Sequence, residues 1–395
     1  MATIVVYTYY SSPWEMKTGD DVRIHSILKT LALHHKVVVV NSSTHPTTTY
    51  TVKNKIIYIP AYRPFYHLLA KIITWKNHHD LNTLAKVTHY IDEAAVLVKY
   101  KPLFNRADLV MTIGSMTVAS AILRMLGIKK PIIYDPLANY AQTLYLRSRK
   151  NIFELIKYGL YLALHKLQLR SSTIITYPSR ADNAAARHMF KITKTHIITN
   201  PSPFCYPNTE EYSQLRRKRN DFTRPHFILL AGSHSNKEAV LKTIEIFNNI
   251  PPSKFTLFIT GPWQHFKRNT KNEAIKIVGI VPYEKLKELL AMADYGLSPI
   301  FNHAAGTFIK MLAYQAADLH IIASPHSLLG LDIRNPRKIC VVRNYEEYAK
   351  AIEEAIQNYK PDQERRPLTC EERDKTLEAQ VDKLLSNLTR PPSSR

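Results

Sequence analysis

Short apolar runs alternate along this chain with longer stretches in which apolar residues recur every third or fourth position. A parallel sheet covered on both faces produces that pattern: its strands read as continuous apolar runs, and each covering helix buries one stripe. In the first half the runs predict strands at Thr3 to Thr8, Lys36 to Val40, Lys55 to Ile59, Leu109 to Ile113, Pro131 to Tyr134 and Thr173 to Tyr177. Helices are expected at Asp21 to Leu33, Thr117 to Leu126 and Ala181 to Phe190. The pattern restarts with a strand at Phe227 to Ala231, a helix at Glu238 to Asn248 and a strand at Phe255 to Thr260. It closes with a strand at Ile339 to Val342 and helices at Tyr345 to Asn358 and Thr369 to Leu388.

The densest stretch is Ile277 to Leu331. A strand to Val281 leads into a helix carrying Leu286, Leu289 and Leu290 between Pro282 and Asp294. A second strand, Tyr295 to Ile300, is followed by a loop of small and polar residues from Asn302 to Thr307, a helix from Phe308, and a third strand at Leu319 to Ala323. A loop of Ala304, Ala305, Gly306 and Thr307 at a helix start leaves backbone N–H groups pointing outward where the helix dipole favours an anion, so a diphosphate fits; an ordinary tight turn is the alternative. In a doubly wound sheet ligands collect at the carboxyl ends of strands, which directs the search to the loops after Thr8, Ile113, Tyr134, Ala231, Thr260 and Ile300.

Order and spacing across this run resemble the C-terminal half of family 4 glycosyltransferases. The matching pieces are Gly279 to Pro282, Ala293-Asp294, Ser298-Pro299, Ala304 to Thr307 and Ala316-Ala317-Asp318. Ser172 to Ser179 and His196 to Pro201 are similar to the end of the N-terminal domain of the same enzymes. The resemblance implies an α/β chain of GT-B architecture, two doubly wound parallel-sheet domains facing across a cleft. It implies an acceptor-side domain over 1–206, a linker over 207–225, a nucleotide-sugar-binding domain over 226–368 and a C-terminal helix over 369–390 that packs back on the first domain. The implied activity is retaining, metal-independent transfer of a sugar from a nucleotide diphosphate donor to a glycan, lipid-linked or protein acceptor, with no cofactor beyond the donor.

The same resemblance implies the site residues. Gly19, in Thr18-Gly19-Asp20-Asp21, falls where the family brings backbone close to phosphate, although a turn alone also explains it. Asp135 matches the first acid of the family's Asp-x-His-Asp and is the acceptor-side candidate; Leu137 and Ala138 replace the other two residues, and a capping or structural role is the alternative. Gly232, His234 and Lys237 follow the first strand of the second half, where cations neutralise the leaving diphosphate. Gly261, Ala305, Gly306, Thr307 and Lys310 complete the donor side. Glycine is scarce, ten in 395 residues, which makes these placements more informative. Two family glutamates are missing: Ala305 stands where the Gly-Ser-Gly-Thr subgroup often has a small residue, and Ala313 where the glutamate holds the ribose, so that either Tyr314 or Gln315 compensates, ribose binding is weak, or the site is inactive. That loss favours a catalytically inactive binding or subunit protein as the alternative. No Asp-x-Asp motif for Mg²⁺ is present in the sequence.

Composition adds one strong feature. Against 54 Lys and Arg stand 32 Asp and Glu, a net charge of +22 that calls for an anionic substrate, membrane surface or nucleic acid. Nucleic acid ranks last, since no helix-turn-helix, zinc or RNA-recognition signature accompanies the charge. Residues 142 to 170 hold six basic residues against one acid, with Phe153, Ile156, Leu160, Leu164 and Leu167 at helical spacing. This is a basic amphipathic helix, packed on the core with its charges solvated or docked on anionic lipid. Arg216 to Arg219 lie in a polar stretch read as linker. Three cysteines, Cys205, Cys340 and Cys370, at no metal-ligand spacing argue against a disulfide framework or zinc site. With no apolar run long enough to span a bilayer and no apparent signal peptide, a cytoplasmic address is expected, with peripheral attachment to the membrane open.

Overall fold

The computed structural model describes residues 1–9, 19–43, 50–53, 55–62, 81–115, 117–137, 152–219, 221–232, 236–301, 309–362 and 364–389. It divides into two compact units, Met1–Pro201 with Thr376–Arg395, and Ser202–Lys375.

The first unit runs β1 (Thr3–Thr8), α1 (Gly19–His34), β2 (Lys36–Ser43), β3 (Thr51–Lys53), β4 (Ile56–Tyr62), α2 (Leu81–Lys99), α3 (Lys101–Arg106), β5 (Leu109–Ile113), α4 (Ala119–Met125), β6 (Ile132–Asp135), α5 (Ile152–Ser171), β7 (Ile174–Tyr177), α6 (Arg180–Phe190) and β8 (Thr195–Ile197). Its sheet has the order β3-β4-β2-β1-β5-β6-β7-β8, parallel throughout except for β3 against β4. Alternation along β1 feeds two cores: Ile4 and Val6 pack with Ile24, Ile27 and Leu28 of α1, while Val5 and Tyr7 pack with Val96 and Leu97 of α2. The helix α2 is missing from the sequence prediction because polar residues occupy part of its inner face. Buried Glu93 receives the Thr117 hydroxyl and, at 2.9 Å, the Val118 N–H, and so caps α4.

In α5 the expected core packing is reversed. Tyr161, His165, Gln168 and Leu169 face inward, whereas Ile156, Leu160 and Leu167 are exposed. The inner face is polar because it binds α4: the Gln168 amide donates to the Ser120 hydroxyl at 2.9 Å and accepts the Ala121 N–H at 3.3 Å. His165 stacks on Tyr161, and burial pushes its pKa down to about 4.

The second unit runs α7 (Thr209–Arg217), β9 (His226–Leu230), α8 (Lys237–Asn248), β10 (Thr256–Thr260), β11 (Ile275–Gly279), α9 (Tyr283–Met292), β12 (Tyr295–Ser298), α10 (Ile309–Ala316), β13 (His320–Ala323), β14 (Ile339–Val341), α11 (Tyr345–Gln357) and α12 (Cys370–Thr389). Its six strands are all parallel, in the order β11-β10-β9-β12-β13-β14. From Thr376 onward α12 groups with the first unit, where Leu377, Val381 and Leu384 join the α1 core.

The segment 207–225, expected to be a linker, instead holds α7. Asn208 caps that helix through the Glu211 N–H at 2.8 Å, with Glu210 and Glu211 in its first turn and Arg216 and Arg217 in its last. Its apolar signal is only Tyr212 and Leu215; buried Tyr212 donates its hydroxyl to the Ala317 carbonyl at 2.9 Å. The arginine cluster is part of the fold rather than solvated. Buried Asp294, just before β12, pairs with Arg219, with Arg365 at 2.6 Å and with Arg216 at 3.4 Å. Burial acts to raise the Asp294 pKa, but Arg365 and Arg219 outweigh it and hold the carboxyl below its usual range.

Cys205 and Cys370 form a disulfide, contrary to the expectation from cysteine number. Their separation of 165 residues gave no spacing signal; the fold joins them by pairing Tyr206 with Thr369 at the two ends of the second unit. Disulfides persist in oxidising compartments, so the cytoplasmic expectation loses its cysteine argument. Cys340 is free and exposed.

Asp294→Asn leaves buried guanidiniums without a counter-charge and is expected to cost about 3–5 kcal/mol in urea unfolding. Because the folded Asp294 pKa is lowered, its contribution is present above the unfolded carboxylate range and is lost as pH falls through the folded value. Reducing the Cys205–Cys370 bond frees a 165-residue loop in the unfolded chain and should remove about 5 kcal/mol by chain entropy, seen as a lower unfolding midpoint with thiol reductant.

Candidate functional site

The second sheet reverses its winding at β9. The chain steps outward from β9 to β10 and β11, then returns to lay β12 on the other side of β9. Helices leaving the carboxyl ends of two such neighbours diverge, and the crevice between their starts is where open α/β sheets bind ligands. Here α8 follows β9 and α10 follows β12.

A hydrogen bond joins the two helix starts. Lys310, the second residue of α10, donates its Nζ to Asn236 Oδ1 at 3.1 Å. Asn236 is the N-cap residue of α8, yet its side chain makes no capping bond to that helix. Lys237 opens α8 and is exposed. The arrangement sets two helix dipoles and two lysines at the reversal point, which suits an anion with charge on more than one oxygen.

Burial lowers the Lys310 pKa to about 7 from an ordinary 10.5. Its charged form is therefore disfavoured until an anion arrives. The cost to stability is full below about 7 and is relieved as pH rises from there toward 10.5, because the unfolded chain holds the proton longer than the folded one.

Gly232, two residues past β9, is exposed, and a Cβ added there would have no neighbour within 4 Å among the described residues. Among the described residues, neither packing nor a left-handed backbone requires glycine at this point. Gly261 is different. Its φ of +108° and the carbonyl of Ala231, 2.2 Å from where a Cβ would sit, require glycine for the fold itself. Trp263 locks that turn by donating its indole N–H to the same carbonyl. Gly19 is the first residue of α1, followed by Asp20 and Asp21 in the first turn. His234, Ala305, Gly306 and Thr307 lie outside the described residues.

Asp135 is a structural residue. At the end of β6 it is fully buried and accepts from Arg23 Nη2 at 2.7 Å, Arg23 Nε at 3.2 Å, the Thr176 hydroxyl at 2.7 Å and the Leu137 N–H at 2.9 Å. Four donors occupy both oxygens, so none remains for an acceptor. Arg23 extends the network to the Ile198 carbonyl at 2.5 Å and the Asn200 side chain at 3.1 Å. The sequence held the warning: Arg23 sits on an otherwise apolar helix face beside Ile24, Ile27 and Leu28.

The residues suggested to replace the missing glutamate are also engaged. Ala313 is buried. The Tyr314 hydroxyl donates to the Leu297 carbonyl at 3.0 Å and accepts the Leu230 N–H at 2.9 Å, bracing β12 against β9. Gly296 gives the Tyr314 ring its space, since a Cβ there would lie 2.5 Å from the ring. Gln315 donates to the Asp332 carbonyl at 3.2 Å and accepts the Arg334 N–H at 2.7 Å. Sequence reasoning missed Asn236 as the residue that holds Lys310; an asparagine just before a helix reads as an ordinary cap.

A scan against family models finds no match for the chain, and a search of curated proteins finds none either. Solved structures do match. A trehalose-phosphate synthase from Burkholderia xenovorans, in complex with glucose-6-phosphate, superposes with a TM-score of 0.68 at 13% identity, covering 99% of this chain and 100% of that one. Sucrose-phosphate synthase from Thermosynechococcus elongatus gives 0.64 at 13% identity over 98% and 96%. HepE from Anabaena, in complex with UDP and glucose, gives 0.58 at 12% identity over 98% and 95%. At such identities the likeness speaks for architecture, and it agrees with the two doubly wound sheets: the chain has the GT-B fold.

Proposed function

We propose that this protein is a glycosyltransferase of the family 4 type, retaining and metal-independent, that takes a sugar from a nucleoside diphosphate donor. The acceptor is a glycan carried free, on a lipid or on a protein. The observation that carries the reading is the Lys310–Asn236 bond at the β9/β12 reversal, which fixes two helix starts and a desolvated lysine around one point. Structures with the same architecture include one with UDP and glucose and another with glucose-6-phosphate, which supports a uridine nucleotide on the donor side and a sugar acceptor. In this reading Lys237 and Lys310 with the two helix starts take the developing negative charge of the leaving diphosphate. Asp135 takes no part.

A second reading, a binding or subunit protein that holds the nucleotide without turnover, is favoured by Ala313 and by the hydrogen bonds that already hold Tyr314 and Gln315 in the fold. The two readings share the donor site and differ only in product.

Calorimetric titration of the protein with UDP-, GDP-, ADP- and dTDP-sugars should show saturable binding of one donor. Lys237→Ala should weaken it about tenfold to a hundredfold, the worth of one charge-assisted hydrogen bond. No binding across the panel by well-folded protein removes both readings, while binding without sugar release selects the second. Donor binding should also draw in a proton near pH 8, because the diphosphate favours charged Lys310 whose pKa in the free protein is about 7. Titrations in two buffers of different ionisation enthalpy should therefore differ, and Lys310→Met should abolish the difference.

A further inference from the structure

Helix α5 turns its apolar residues to solvent. Ile152, Leu155, Ile156, Leu160 and Leu167 are 61%, 50%, 62%, 56% and 47% exposed. With exposed Gly159, Ala163, Lys166 and Arg170 they fall within an arc of roughly 140° at 3.6 residues per turn. The opposite face holds Tyr161, His165, Gln168 and Leu169, all buried. A helix anchored by its polar side with an apolar stripe outside has no partner for that stripe among the described residues.

Charge identifies the partner. The first unit holds 29 Lys and Arg against 12 Asp and Glu, +17 of the chain's +22. Five of those acids, Asp21, Asp92, Glu93, Asp135 and Asp182, are buried, whereas Arg23 is the one base of this unit buried among the described residues. Its outer surface is thus more cationic than its composition. The stripe carries Lys166 and Arg170 at its carboxyl end. There Arg124 of α4 donates to the Ser171 carbonyl at 3.0 Å and brings Met125, 82% exposed, and exposed Lys129 alongside. A second copy of this unit would bring like charge against like charge; an anionic bilayer brings opposite charge and an apolar interior together.

We propose that the outward stripe of α5, with Met125, Lys129, Lys166 and Arg170, docks on an anionic lipid bilayer. Ile156, Leu160 and their neighbours enter the acyl boundary while the lysines and arginines meet the headgroups. The docking needs no donor and stands independently of the transferase reading.

Co-sedimentation of the full chain with vesicles of equal phosphatidylglycerol and phosphatidylcholine, and with phosphatidylcholine alone, tests this. Binding is expected to the mixed vesicles only, weakening as salt is added. Ile156→Glu with Leu160→Glu, at exposed positions, should reduce it by about tenfold or more with an unchanged unfolding midpoint. Lys166→Gln with Arg170→Gln should reduce both the binding and its salt dependence. Absence of binding to the mixed vesicles, or binding untouched by the glutamate pair, overturns the proposal. So does a wild-type dimer by light scattering that the glutamate pair turns into monomer, which would assign the stripe to a second copy.

Discussion

The return of β12 to the side of β9 is the constraint from which the candidate site follows. Parallel pairing at this position sends α8 and α10 from adjacent strand ends, so their first turns meet. Tyr314 bonds to both strands at once and is admitted only because Gly296 leaves space for its ring. Lys310 lies one helical turn before Tyr314 on α10, so the same helix that braces the sheet also aims the lysine at Asn236. Packing and chemistry are thereby linked: a change that loosens Tyr314 displaces the cation as well.

Buried arginine–aspartate pairs organise the rest. Arg23 with Asp135 fastens α1 to β6 and to the segment after β8, and Asp294 gathers Arg219 and Arg365 at the amino end of the second sheet. Within the second unit the Asp294 cluster lies at the amino end of the sheet and the Lys310–Asn236 bond at the carboxyl ends of β9 and β12, which separates the groups that hold this unit from those available to a ligand. The buried pairs also remove acids from the surface, which leaves the exterior of the first unit strongly basic.

Much of this fold was legible as apolar runs. Strands β1 and β5 are buried on both faces, so hydrophobicity alone marks their ends. Helix α2 was not legible because Asp92 and Glu93 point inward, and α7 was not because Tyr212 and Leu215 are its whole apolar signal. The α5 stripe has helical spacing but faces outward; spacing shows that a face exists and not which way it turns. Of the candidate site, Lys237, Lys310 and Gly232 were singled out through the family resemblance, which matches positions along the chain; the contact between Lys310 and Asn236 left no mark in the sequence. The buried pairing of Asp135 was not legible because its partner Arg23 lies 112 residues away in sequence, and the Cys205–Cys370 pairing was hidden for the same reason.

The most direct test of the central claim is a crystal structure of the full chain grown with a saturating nucleoside diphosphate. The account predicts the diphosphate at the carboxyl ends of β9 and β12, within hydrogen-bond reach of Lys310 Nζ and of the first N–H groups of α8. A diphosphate bound elsewhere, with the Lys310–Asn236 crevice filled only by water, would contradict it.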